Sequence, residues 1–158
     1  MSVRADDVKA KVEAYHADVR SWREHLHAHP ELSFNEHQTA AFVANKLKAW
    51  GIRHQTGVAK TGIVGLIEGR NPQQRTIALR ADMDALPITE ANEVPYRSTN
   101  EGVMHACGHD VHTASLLGAA RILQEMRDHF EGSIKLFFQP SEEKLPGGAS
   151  VMIREGAL

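Results

Sequence analysis

A single cysteine, Cys107, stands among the 158 residues. An internal disulfide is therefore excluded, and the thiol is buried filler, a nucleophile or a metal ligand. No charge sign dominates: 18 Lys and Arg face 20 Asp and Glu, a formal net of −2. Such a balance offers no polyanion surface, so nucleic acid is not an expected partner. Long apolar runs are missing as well. None approaches the ~18 residues of a membrane span, and "MSVRADDVKA" lacks the apolar segment of a secretory leader. A soluble, cytoplasmic protein with no membrane partner is the expectation. Repeats and low-complexity tracts are absent too.

What is abundant is histidine. The chain has ten, and at an ordinary pKa near ~6.5 most are neutral at pH 7 and free to ligate metal. The length suits one domain with a core and is short for two.

Apolar spacing sets the elements. Val8, Val12, Tyr15, Val19, Trp22 and Leu26 recur at steps of four and three, a stripe down one helix face. That helix must stop before Pro30. "SFNE", Ser33 to Glu36, has the capping-box pattern and opens a second helix striped by Ala40, Val43, Leu47 and Trp50, with Gly51 as its stop. Strand-like runs follow in "TGIVGLIEG" and "RTIALRAD", linked by the turn-rich "RNPQQ". A third run, "SIKLFFQP", is apolar on both faces and suits a strand covered from two sides. A helix from about Asp110 to His129 lies between these strands, and "GGASVMIREGAL" reads as another opening after Gly148. Helices alternating with buried strands predict an α/β fold on a largely parallel or mixed sheet. Three or four strands make a thin sheet with an apolar edge, so the expectation is the N-terminal part of a longer protein.

The chemistry gathers in three places. "RADMDALP" follows one strand, "QPSEE" follows another, and "HACGHD" immediately precedes a helix. Open α/β sheets collect ligands at the carboxyl ends of their strands. Asp82, Asp84, Glu142 and Glu143 are expected to converge there, with Cys107 and His109 reaching in from a loop. Gly108 lets that loop bend so that both side chains face one point. Thiolate, imidazole and carboxylate form a donor set that zinc, manganese, cobalt or nickel accepts. Plainer readings stand beside this one. Cys107 is explicable as a small buried apolar side chain, Asp110 as a helix N-cap, and the paired glutamates as a solvated first turn. His25, His27 and His29 fall in a last helical turn, where cations favour the dipole, and positions two apart face different ways. Gly147-Gly148 is most simply a turn.

Taken together and in order, "LHAHPELSFNE", "RADMDALPITE", "MHACGHDVHTA" and "FFQPSEEKLPGGA" resemble the amidohydrolase branch of the di-metal aminoacylase and carboxypeptidase family, the hippurate hydrolase type. Four linked motifs across residues ~20 to 158 carry a specificity that none has alone. The resemblance implies a zinc-exopeptidase-like catalytic domain and two divalent metal ions (Mn, Zn, Ni or Co). It makes Cys107, His109 and Glu143 metal ligands, Glu142 the general base, and Asp82 and Asp84 supports of the ligands, Asp82 standing where related carboxypeptidases carry a histidine. The implied reaction is hydrolysis of the amide of an N-acyl amino acid, Glu142 taking a proton from the attacking water and passing it to the leaving amine. Residues 1–158 would then be the N-terminal part of that domain. The lid, a dimerisation surface for a homodimer and further histidine ligands would lie beyond it, leaving these residues inactive alone. Two other readings compete: a hydrolase with Cys107 as nucleophile, and a non-catalytic module.

Overall fold

The computed structural model describes residues 4–158. Its elements are α1 (Ala5–Ala28), α2 (His37–Ala49), β1 (Arg53–Val58), β2 (Gly62–Glu68), β3 (Thr76–Asp82), α3 (His109–Glu125), a 3-10 turn (Arg127–His129), β4 (Ser133–Gln139) and α4 (Gly148–Arg154). The sheet order is β1-β2-β4-β3. Antiparallel pairing joins β1 to β2 and β2 to β4. Only β3 and β4 run parallel, because α3 and the long segment before it return the chain to the starting edge between them. The sheet is therefore mixed, with one parallel pair where a mainly parallel arrangement was open.

β4 sits inside the sheet and is covered on both faces. Ile134, Leu136 and Phe138 join Trp22, Leu26, Val43, Leu47 and Leu117 from the helices in the main core. Phe137 points the other way, into a smaller cluster with Val58, Ala59, Met152 and Ala157. This double burial is why "SIKLFFQ" does not alternate. Removing a fully buried side chain such as Phe138 costs about 3–5 kcal/mol.

One strand is added to those read in the sequence, and three local readings change. β1 carries no apolar alternation because it is an edge strand, exposed along most of its length. The α1 stripe is only half used, with Val8 and Val12 exposed while Trp22 and Leu26 are buried. "SFNE" is not a capping box: no side chain caps α2 at Glu36. Glu31 does that work from seven and eight residues away, accepting Gln38 N–H at 3.1 Å and Thr39 N–H at 2.9 Å. Asp110 does not cap α3 either. Gly108 holds that position in the left-handed region, at φ 90, and Asp110 is drawn into the protein by Arg23 and His27.

Candidate metal centre

The parallel pairing of β3 with β4 delivers both strand ends to one place. Met83 N–H donates to Gln139 O at 3.0 Å just beyond the ladder, so Asp82 and Asp84 emerge beside the Ser141–Glu143 loop. The segment before α3 arrives opposite them. Cys107 is exposed in that loop, and His109 is the first residue of the helix and is buried. The donor atoms of Cys107, His109 and Glu143 all lie within 4.8 Å of one another. The three proposed ligands thus meet, and Cys107 does not point into the apolar core.

Asp84 ties the parts together. Its carboxylate accepts Glu142 N–H at 2.9 Å, Glu143 N–H at 3.1 Å and Ser33 Oγ–H at 2.6 Å. Its backbone carbonyl accepts the Nδ1–H of His109 at 2.8 Å. That bond fixes the ring, leaving Nε2 toward Asp82 (3.6 Å) and Glu143 (3.9 Å). Burial pushes the Asp84 carboxyl up, but the bonds from His109, Ser33 and the two loop amides hold it well below the usual carboxylate range. The loop itself closes on Gly148, whose N–H donates to Ser141 O at 2.7 Å. A Cβ at Gly148 would stand 1.7 Å from Pro140 O, so the paired glycines are more than a turn.

A second set forms around the same histidine. Asp82, His109 and His112 also bring their donor atoms within 4.8 Å of one another. The Nδ1–H of His112 donates to Asp82 Oδ1 at 2.7 Å, and Arg80 pairs with Asp82 at 3.1 Å. His112 took no role in the sequence reading. The signal was present in "HDVH", since positions three apart on a helix share a face.

The electrostatics are those of a site built for a cation. Burial disfavours the His109 cation, yet its hydrogen bond to Asp84 and the Asp82 charge outweigh that and raise the pKa to about 9. The Cys107 thiol is pushed up, first by its hydrogen bond to Glu143 and then by burial and the Glu143, Glu142 and Asp82 charges. The helix start alone does not keep this thiol ionised. These acidic groups favour positive charge at His109 Nε2 and beside Cys107 Sγ, which a divalent ion would supply in place of the two protons. The donor set fits one ion through Cys107, His109 and Glu143, and the same acidic surroundings weigh against a free nucleophilic thiolate, which needs electropositive neighbours.

Beneath the site lies a buried polar network unseen in the sequence. His27 places Nδ1 2.8 Å from Asp110 Oδ2 and Nε2 3.0 Å from Glu90 Oε1, while Arg23 Nε donates to Asp110 Oδ2 at 2.8 Å. His25 and His29 stay outside, their rings tilted against each other with centroids 4.5 Å apart. The three histidines of "HLHAHP" therefore form no common site, and only His27 enters the interior. His105 is buried with both ring nitrogens lacking a partner among the described residues; burial drops its pKa to about 4.

The chain is similar to known proteins. Residues 78–158 match the model of peptidase family M20/M25/M40. The N-acyl-L-amino acid amidohydrolase of Geobacillus stearothermophilus is 48% identical over 153 residues, covering 97% of this chain and 41% of its own length. The hippurate hydrolase of Campylobacter jejuni is 50% identical over 134 residues, covering 85% and 34%. Among solved structures, a dinuclear metal-binding peptidase of the M20 family from Bacillus subtilis superposes with a TM-score of 0.85 at 40% identity, covering 92% of this chain and 40% of that one. The chain spans about a third to two-fifths of the length of the curated relatives it matches.

Proposed function

The chain belongs to peptidase family M20/M25/M40, and on that footing we propose that it serves a metal-dependent amidohydrolase acting on N-acyl amino acids of the hippurate type. The observation that carries this reading is the meeting of Cys107, His109 and Glu143 within 4.8 Å, with Glu142 next in the loop.

Cys107 Sγ, His109 Nε2 and a Glu143 oxygen would hold one divalent ion. Asp82 and His112 stand beside His109 as the nearest donors toward a second. When bound, such ions supply Lewis acidity to the amide carbonyl and make water a better nucleophile near neutral pH. The protein's own part is positional and protonic. Asp84 fixes the His109 ring and the backbone of both glutamates. Glu142 is exposed at the loop surface, takes the proton of the attacking water and returns it to the leaving amine nitrogen.

The relatives named for N-acyl amino acids and hippurate support the substrate class. Hydrolysis of benzoyl- and acetyl-amino acids by an enzyme containing this chain is the test. Turnover should vanish on chelation and return with manganese, zinc or cobalt. Turnover that survives complete metal removal would overturn the reading in favour of Cys107 as nucleophile.

A further inference from the structure

The connector between α1 and α2, residues 30–36, belongs to neither helix. Its backbone runs beside the loop after β3. Ala85 N–H donates to Glu31 O at 2.8 Å, and Leu32 bridges Ala85 in parallel. From this strip two side chains reach two different loops of the site. Ser33 Oγ–H donates to Asp84 Oδ2 at 2.6 Å. Glu36 is fully buried; Oε1 accepts Ser141 N–H at 2.7 Å and Oε2 accepts Thr61 Oγ–H at 2.5 Å.

Both anchor points touch the glutamate loop. Ser141 has φ 47, a left-handed conformation that a residue with a side chain keeps only where its surroundings hold it. Its N–H has no strand or helix to bond, and Glu36 supplies the acceptor. The next two N–H groups go to Asp84, which Ser33 holds in turn. Three consecutive amides, 141 to 143, are thus bound by two carboxylates that the connector controls. Phe34, between the two gripping residues, is itself at φ 62, which separates the Ser33 and Glu36 side chains toward their different targets. A buried carboxylate is a costly way to fill space, since desolvation disfavours its charge unless donors compensate. Packing alone would be served by an apolar side chain.

We propose that Glu36 and Ser33 are positioning residues of the site, setting the backbone of Glu142 and Glu143 so that one carboxylate faces the ion and the other faces the water. This rests on the metal-site reading above, and its test separates the two. Amide hydrogen exchange, followed residue by residue in the metal-free chain, is the first readout. Glu36→Gln offers one oxygen where two donors need acceptors. Exchange at Ser141, Glu142 and Glu143 should quicken at least tenfold, while Leu136 within β4 keeps its protection. Ser33→Ala, a mild change at a half-buried position, should quicken Glu142 and Glu143 alone, and decides the matter should Glu36→Gln not fold. The second readout is cobalt(II) titration, followed by the thiolate-to-cobalt absorption of Cys107. Glu36→Gln should weaken cobalt binding about tenfold, whereas Leu47→Ala, a core change far from the loop, should lower stability without altering affinity per folded molecule. Unchanged exchange at Glu142 and Glu143 in both connector variants would overturn the inference. A parent chain giving no thiolate band would instead sink the metal reading, with the exchange result still deciding the connector's role.

Discussion

Asp84 Oδ1 accepts the N–H of Glu142 at 2.9 Å, joining positions 58 apart in the chain. With Oδ2 on Glu143 N–H and Ser33 Oγ, one carboxylate satisfies three donors that no regular element serves. Asp84→Asn keeps a single acceptor oxygen and turns an NH₂ group toward these donors. The expected loss is about 2–3 kcal/mol, read as a lower urea midpoint at unchanged m-value. Cobalt affinity should fall in parallel, because the His109 ring and Glu143 lose a common support. A stability equal to the parent's would refute the hub role.

The two glutamates should separate cleanly. In an active enzyme containing this chain, Glu142→Gln should keep its metal and lose roughly 10²- to 10⁴-fold in kcat, the usual worth of a general base. Glu143→Gln should lose metal first, seen by elemental analysis after gel filtration. Equal metal loss in both variants would end the division of labour.

Acid should weaken the metal-free protein in a window set by His105. Burial, foremost, lowers its pKa from 6.5 to about 4; the Asp110 and Asp84 charges oppose this, and His27 and His109 reinforce it. Between those values the unfolded chain binds a proton that the folded chain refuses, so unfolding is favoured as pH falls. The His105 contribution is complete above pH 6.5 and should decline by up to about 3 kcal/mol on approaching pH 4, whereas His109, its pKa raised to about 9, adds stability as pH falls from 9 to 6.5. Denaturant titrations in chelator at half-unit pH steps measure it. His105→Leu should flatten that slope; a slope unchanged by the substitution would assign it elsewhere.

Gly147 and Gly148 should respond differently to a methyl group. Gly147 has nothing within 4 Å of its Cβ direction, but its φ 78 and ψ 128 lie outside the left-handed helical well, so Gly147→Ala should cost about 2 kcal/mol for backbone strain alone. At Gly148 the new carbon meets the Pro140 carbonyl at 1.7 Å. No rotamer relieves that contact. Gly148→Ala should cost about 3 kcal/mol or more and open the glutamate loop. Equal thermal melts for the two variants would contradict the packing.

The sequence determined by itself those features that follow from local periodicity and donor chemistry. The stripe from Val8 to Leu26 announced α1, "SIKLFFQ" announced a strand covered on both faces, and "HACGHD" announced a polar loop leading into a helix. The family was legible because four motifs occur in one order, and residues 78–158 match it. β1 escaped because an exposed edge strand needs no apolar alternation. Tertiary structure alone decided which polar groups meet. The spacing of "SFNE" suits a capping box, yet Ser33 reaches Asp84 and Glu36 reaches Ser141, while Glu31 caps α2 instead. His27 looked like its two neighbours and is the one held between Asp110 and Glu90. The physical reason is range. Apolar burial is non-directional and repeats with the period of the backbone, so it is written locally. A buried hydrogen bond needs one donor and one acceptor within about 3 Å, and for Glu36 and Ser141 those lie 105 positions apart, brought together only once the sheet has formed.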